Sequence, residues 1–156
     1  MTDLKLRNPI VSDSGLILNW RNSKEVREMS QNQELISPEI HENWFYVRQQ
    51  EVLVQPFWMV ELSNQAIGYV RADLIQPKMF ELSVLISSDF RSKGIGKRAL
   101  ELAITEIEQK YKNFGLLARV HQENEASLRL FSALGFSEIN TNCKFKTLYR
   151  KFIENS

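Results

Sequence analysis

Arg91-Ser92-Lys93-Gly94-Ile95-Gly96-Lys97 follows an apolar segment, Met79 to Ile86, that reads as a strand. It precedes a segment in which Leu100, Ala103, Ile104, Ile107 and Tyr111 recur at helical spacing with charges opposite. Two glycines at such a junction let the backbone turn sharply and come close to a ligand, and the free N–H groups of the helix start form a nest for phosphate oxygens. Arg91, Lys93 and Lys97 add charge to that nest. An isolated glycine pair also fits an ordinary strand-to-helix turn with solvated lysines. The segment lacks the glycine-lysine-serine/threonine ending of a nucleotide P-loop and the third glycine of a dinucleotide fingerprint, which disfavours nucleotide hydrolysis and hydride transfer.

Upstream, Phe57 to Leu62 and Ala66 to Ile75 read as a hairpin around Ser63-Asn64, with Pro77 marking the next loop. Downstream, Leu116 to Val120 reads as a strand, and Asn124 caps a short helix carrying Leu128, Phe131 and Leu134 that stops at Gly135. Lys144 to Phe152 alternates as a last strand. At the amino end, Leu4 and Leu6 mark an edge strand closed by Asn8-Pro9, and a helix starts near Ser12-Asp13 with Leu16, Ile17 and Trp20 on one face. Its pattern loosens at Arg21-Asn22-Ser23 before Val26. Ser37-Pro38 starts another helix, with Ile40, Trp44 and Val47 as one stripe and His41, Phe45 and Arg48 beside it. By that stripe Trp44 is a core residue and His41 a structural hydrogen-bonder. Hairpins in the first half and a strand-helix-strand crossover in the second predict an α/β or α+β fold around one sheet, in a single domain over residues 1–156.

Composition narrows the function classes. At 156 residues, 43% hydrophobic and 25% charged, the chain matches ordinary globular proteins, and a formal charge of +1 provides no global field toward nucleic acid or anionic lipid. The single cysteine, Cys143, excludes an internal disulfide and a cysteine-based zinc site, and reads as a small half-buried thiol. No metal is expected. The start Met1-Thr2-Asp3-Leu4-Lys5-Leu6-Arg7 has no secretory pattern, and no stretch approaches the roughly 18 apolar residues of a spanning helix, so a cytoplasmic location without membrane attachment is expected.

Arg91-x-x-Gly94-x-Gly96 resembles the pyrophosphate-binding signature of GNAT acetyltransferases. The neighbouring segments resemble that family too: Glu81-Leu82-Ser83-Val84-Leu85-Ile86 its fourth strand, and Asn124 through Phe136 its late helix with a Gly-Phe ending. The resemblance implies a mixed, mostly antiparallel sheet flanked by helices, and acetyl-CoA as cosubstrate. It implies that Val84, Leu85 and Ile86 offer backbone groups to the pantetheine arm and acetyl carbonyl. Arg91, Ser92, Lys93, Gly94, Ile95, Gly96 and Lys97 would hold the pyrophosphate, Asn124 and Ser127 the pantetheine, and Phe131 would flank the cofactor. Asn124 also fits a simple helix cap.

An amine attacks a thioester only as the free base, so the site must remove a proton, stabilise an oxyanion and let a thiolate leave. Glu81 stands at the family's strand position for the base, and an N–H near Leu85 is the expected oxyanion donor. Many members carry a tyrosine seven residues after the helix asparagine to protonate the thiolate; here that residue is Phe131, which cannot donate, and Tyr149 and Tyr69 are weak substitutes. On the acceptor side, Leu18-Asn19-Trp20-Arg21-Asn22, Glu25-Val26-Arg27, His41-x-x-Trp44-Phe45 and Ile67 to Asp73 resemble a bacterial subgroup, of the pseudaminic acid pathway type, that acetylates nucleotide-linked amino sugars. Trp20 and Trp44 would then stack on a base or sugar and Arg21 and Arg71 meet its diphosphate, with Asn22 and His41 beside them. The same tripeptide at 20–22 fits acetylation of ribosomal-protein or peptide N-termini or of aminoglycosides, and Phe131 leaves room for a non-catalytic acyl-CoA-binding protein. A monomer or homodimer is expected.

Overall fold

A computed structural model describes residues 3–151; Met1-Thr2 and Phe152, at the two ends of the sequence-based readings, lie outside the described residues. The chain forms β1 (Leu4–Arg7), a 3-10 turn (Val11–Asp13), α1 (Ser14–Asn22), α2 (Lys24–Glu28), α3 (Pro38–Gln50), β2 (Phe57–Leu62), β3 (Gln65–Gln76), β4 (Met79–Ile86), a second 3-10 turn (Ser88–Phe90), α4 (Ile95–Lys110), β5 (Gly115–His121), α5 (Glu125–Ala133), β6 (Ser137–Asn142) and β7 (Phe145–Arg150). One seven-stranded sheet runs in the order β1-β2-β3-β4-β5-β7-β6. All neighbours are antiparallel except β4 and β5, which the α4 crossover makes parallel. Among the described residues no helix is long and apolar enough to cross a membrane.

Strand alternation sorts the side chains into two unequal faces. Trp58, Val60, Val70, Ala72, Phe80, Leu82, Leu116, Ala118, Val120 and Leu148 project to one side, where Ile95, Ala99, Leu100, Ala103, Ile104 and Ile107 of α4 and Phe131 of α5 complete a continuous apolar core. The α4 residues fall on one stripe, and burial of each large one stabilises the fold by about 1.5–3 kcal/mol. The opposite face holds a smaller aromatic cluster: Phe57, Met59, Tyr69 and Leu85 from the sheet, Ile17 from α1 and Phe45 from α3.

The largest departure from the sequence-based reading lies in α3. Ser37 caps it as expected, accepting from the Ile40 N–H at 3.2 Å, but the buried face is His41, Phe45 and Arg48. Ile40 and Val47 are exposed and Trp44 is only half-buried. Specific polar partners for His41 and Arg48 outweigh the apolar stripe. In α1, Ile17 is buried while Leu16 is exposed. Tyr111 ends α4 in extended backbone, packing edge-on against Phe80. Strand β6 escaped the sequence because all six of its residues are exposed and mostly polar; pairing with β7 alone makes it a strand. Cys143 is exposed, not half-buried, because it occupies the β6–β7 turn with φ 54°.

Candidate active site

The sheet opens in its middle. β4 and β5 stay in register only from Met79–Gly115 to Glu81–Leu117. Beyond that, β4 keeps β3 to Ile86 and β5 keeps β7 to His121, so each strand retains its outer partner while losing the other. The inner edge of β4 from Val84 to Ile86 therefore borders a wedge: Leu85 turns its backbone groups to Tyr69 of β3, while those of Val84 and Ile86 face the opening without a strand partner. Gly68 makes this shape feasible: a Cβ there would lie 2.1 Å from the Leu85 carbonyl oxygen, so only glycine lets β4 come this close.

The glycine segment lies just past the end of β4. Gly94 is the N-cap of α4 at φ 74°, a left-handed conformation natural to glycine, and it brings no capping side chain. Arg98 N–H already bonds the Gly94 carbonyl at 3.2 Å, so the N–H groups of Ile95, Gly96 and Lys97 are the orphans of this helix start. No acidic residue lies in the first turn, while Lys93 and Lys97 are exposed beside it. Partial positive charge from the helix and oriented donors thus stand beside two lysines that form no ion pair among the described residues. Ile95 anchors the turn in the core, and a Cβ at Gly96 would lie 3.5 Å from Leu130 of α5 and 3.7 Å from Ile86. Ser92, at φ 62°, belongs to the turn itself. Arg91 is partly committed: Nε donates to the Ile86 carbonyl at 2.9 Å and Nη1 pairs with Glu25 of α2 at 2.9 Å.

The other lip of the wedge is the start of α5. Asn124 Oδ1 accepts the Ser127 N–H at 3.2 Å, so the cap role is real and occupies Ser127's N–H, while the amide Nδ2 donates to no protein group among the described residues. Phe131 is 3% exposed and packs edge-on against Phe136, which makes it a core residue with little ring surface for a ligand. Tyr69 is buried edge-on against Phe57, and the Tyr149 ring lies over Gly115 at the closed end of the wedge.

Glu81, Ser83 and Leu85 alternate onto the aromatic-cluster face, and the register sets Asp73 opposite Glu81 and Arg71 opposite Ser83. Arg119 of β5 donates from Nε and Nη2 to Glu81 Oε1, leaving Oε2 without a protein partner among the described residues. The bond to Glu81 raises the Arg119 guanidinium above its ordinary range against the opposing pull of burial. Arg119 was not singled out in the sequence, although its parity two residues past Leu117 aims it at this face.

Three of the expected acceptor residues, Arg21, Trp44 and Arg71, meet at one indole. Arg21 lies 4.8 Å and Arg71 5.1 Å from the Trp44 ring centroid, and Trp20 packs against the same cluster. Burial lowers the Arg21 guanidinium, which has no carboxylate within ion-pair distance among the described residues. Asn22 does not join them, and His41 meets the Trp44 ring at 5.7 Å between centroids only from the buried side. Asn22 spends its amide on Ile36, donating to its carbonyl at 2.9 Å and accepting its N–H at 2.8 Å, and so fastens the loop before α3. His41 is fully buried, its Nε2 2.9 Å from the Ser14 carbonyl, and burial pushes the imidazole below its ordinary value, so it joins α1 to α3 as a neutral ring.

The model of the acetyltransferase (GNAT) domain family matches residues 3–137. An N-acetyltransferase 9-like protein of Nematostella vectensis is 32% identical over 77 residues, spanning 49% of this chain but only 39% of that relative. The structure of yncA from Salmonella typhimurium, solved with its cofactor acetyl-CoA, superposes with a TM-score of 0.80 at 19% identity, covering 99% of this chain and 96% of that one. A spermidine N-acetyltransferase from Vibrio cholerae, in complex with CoA and spermine, gives 0.83 at 18% identity over 96% and 95% of the two chains.

Proposed function

The chain belongs to the GNAT acetyltransferase domain family, and from that premise we propose that it is an enzyme transferring an acetyl group from acetyl-CoA to a primary amine. The observation that carries the reading is the uncapped, acid-free start of α4 beside the unpaired edge of Val84–Ile86. The first suits a pyrophosphate; the second suits the amide-bearing arm that follows it in the cosubstrate, which would add to the open edge like a short strand. The orphan N–H groups of Ile95, Gly96 and Lys97 bind the pyrophosphate with Lys93 and Lys97, and the free Nδ2 of Asn124 holds the arm on the opposite lip. A backbone N–H around Leu85, that of Val84 or Ile86 on the open edge, donates to the carbonyl oxygen as it becomes an oxyanion.

Glu81 is the base. With Oε1 held by Arg119, Oε2 takes the proton of the incoming ammonium directly or through water. The amine nitrogen then attacks the thioester carbon, and collapse of the tetrahedral adduct breaks the carbon–sulfur bond while the nitrogen gives up its second proton to the departing thiolate through water. Thiolates leave readily near neutral pH, so the chemistry tolerates Phe131 in place of a tyrosine acid.

The acceptor we propose is the amino group of a nucleotide-linked 4-amino-4,6-dideoxy sugar. Support comes from the sign of the acceptor face: Arg21, Arg48, Arg71 and Arg119 face Asp73 and Glu81, an excess of guanidinium that favours an acceptor bearing phosphate over a polycation. The test is acetyl-CoA-dependent thiol release with a UDP-linked 4-amino-4,6-dideoxy sugar, a peptide with a free α-amine and an aminoglycoside. Preferred turnover of the nucleotide sugar is expected; preference for the aminoglycoside would replace the acceptor and keep the reaction.

A further inference from the structure

Arg48 is buried at 5% exposure on a helix facing the sheet, where its charge needs a reason. Its donors are spent on named acceptors: Nε on Asp73 Oδ1 at 3.1 Å, Nη1 on the Gln55 carbonyl, and Nη2 on the carbonyls of Pro56 at 3.2 Å and Ala72 at 2.9 Å. Three carbonyls account for a clamp between α3, the loop before β2, and β3. They do not account for Asp73. That carboxylate faces both ways: Oδ1 takes Arg48, while Oδ2 takes Arg71 Nε at 2.9 Å. Arg71 in turn lies against Trp44, with Arg21 at the same ring, and its two terminal amino groups make no protein hydrogen bond among the described residues.

We propose that Arg48 and Asp73 are positioning residues for acceptor recognition: buried Arg48 fixes the Asp73 carboxylate, which locks Arg71 against Trp44 with its terminal donors unspent. The proposal deepens the function given above and rests on it. A guanidinium held by Nε alone keeps both Nη groups for a planar, two-point contact with an anion, and a fixed one loses less freedom when it binds. Two guanidiniums on one indole repel each other, and Asp73 offsets only part of that repulsion, so an anionic acceptor group gains from both. Neither Arg48 nor Asp73 touches acceptor or cosubstrate in this scheme; both act through Arg71.

The test is a double-mutant cycle with Asp73→Asn and Arg71→Ala, using the UDP-linked amino sugar as acceptor, with Arg48→Lys as a second route to the same loss. Asp73→Asn and Arg48→Lys should each raise the acceptor KM about tenfold while kcat and the Kd for acetyl-CoA stay within about twofold. Placed on top of Arg71→Ala, Asp73→Asn should add less than about twofold, because its effect passes through a side chain already removed. Losses that multiply in the double variant, or a fall in kcat at unchanged KM, overturn the proposal. A readout free of turnover separates this failure from failure of the function itself: the Arg71 Nε–H proton should exchange slowly in the native protein and quickly in folded Asp73→Asn. Equal exchange overturns the proposal even if the enzyme is active. Slow native exchange in a protein that does not bind acetyl-CoA overturns the function and leaves the lock standing.

Discussion

The two faces of the sheet are built from different materials. Under α4 and α5 the contacts are apolar and continuous, and the features offered to a cosubstrate at their margin are made by backbone: a left-handed glycine, three orphan N–H groups and an unpaired strand edge. On the face under α1 and α3, a small aromatic cluster gives way to guanidiniums and carboxylates that hold one another in place. Backbone sites need a turn and a few glycines; side-chain sites need partners from α1, α3, β3, β4 and β5 at once. The larger apolar core lies on the first face, and the proposed acceptor site on the second.

The largest effect that separates the faces is expected at Glu81. Glu81→Gln keeps the shape and removes the proposed base, so kcat should fall by about 10²–10⁴-fold with acetyl-CoA affinity and thermal stability nearly unchanged. Loss of donor binding in that variant would merge the two faces. Leu100→Ala, deep under α4, should cost about 2–5 kcal/mol in denaturant unfolding while kcat at low temperature stays near native.

Smaller effects sharpen the acceptor face. Asn22→Ala removes both bonds to Ile36 and should cost about 1–3 kcal/mol, seen as faster exchange of the Ile36 amide, with the acceptor KM little changed. A large KM effect without loss of protection would return Asn22 to the substrate site. His41 gives a pH signature. Burial lowers its folded-state value below the ordinary 6.5, so the unfolded chain binds the proton more readily. Its stabilising contribution is whole above that pH and shrinks as the pH falls through it, by at most about 1.4 kcal/mol per unit. Melting between pH 7.5 and 5.5 should show this slope, and His41→Gln should flatten it.

The same contrast explains what the sequence disclosed. Gly94 and Gly96 between a strong strand and a strong helix sufficed for the crossover and its uncapped helix start, because both are local. The β2–β3 hairpin was legible for the same reason, since Ser63 and Asn64, both at positive φ, declare the turn. The buried face of α3 was not. Apolarity pointed to Ile40 and Val47, whereas His41 and Arg48 are buried by partners 27 residues upstream and 24 to 25 downstream, which spacing within one helix cannot reveal. Arg119 was hidden likewise, since its partner Glu81 lies 38 residues away across the wedge. Trp20, Arg21, Trp44 and Arg71 were assembled by resemblance, and three of them meet at one ring; Asn22, in the same run, turned inward to Ile36.

The central claim is that the start of α4 is the phosphate end of an acetyl-CoA site, and calorimetric titration of acetyl-CoA into native protein and folded Gly94→Trp tests it most directly. A Cβ at Gly94 meets nothing within 4 Å, so the helix start has open space for an indole, at the cost of backbone strain from φ 74°. The account predicts saturable 1:1 binding by the native protein and its loss in the variant. Absence of binding by the native protein, or equal binding by both, would contradict it.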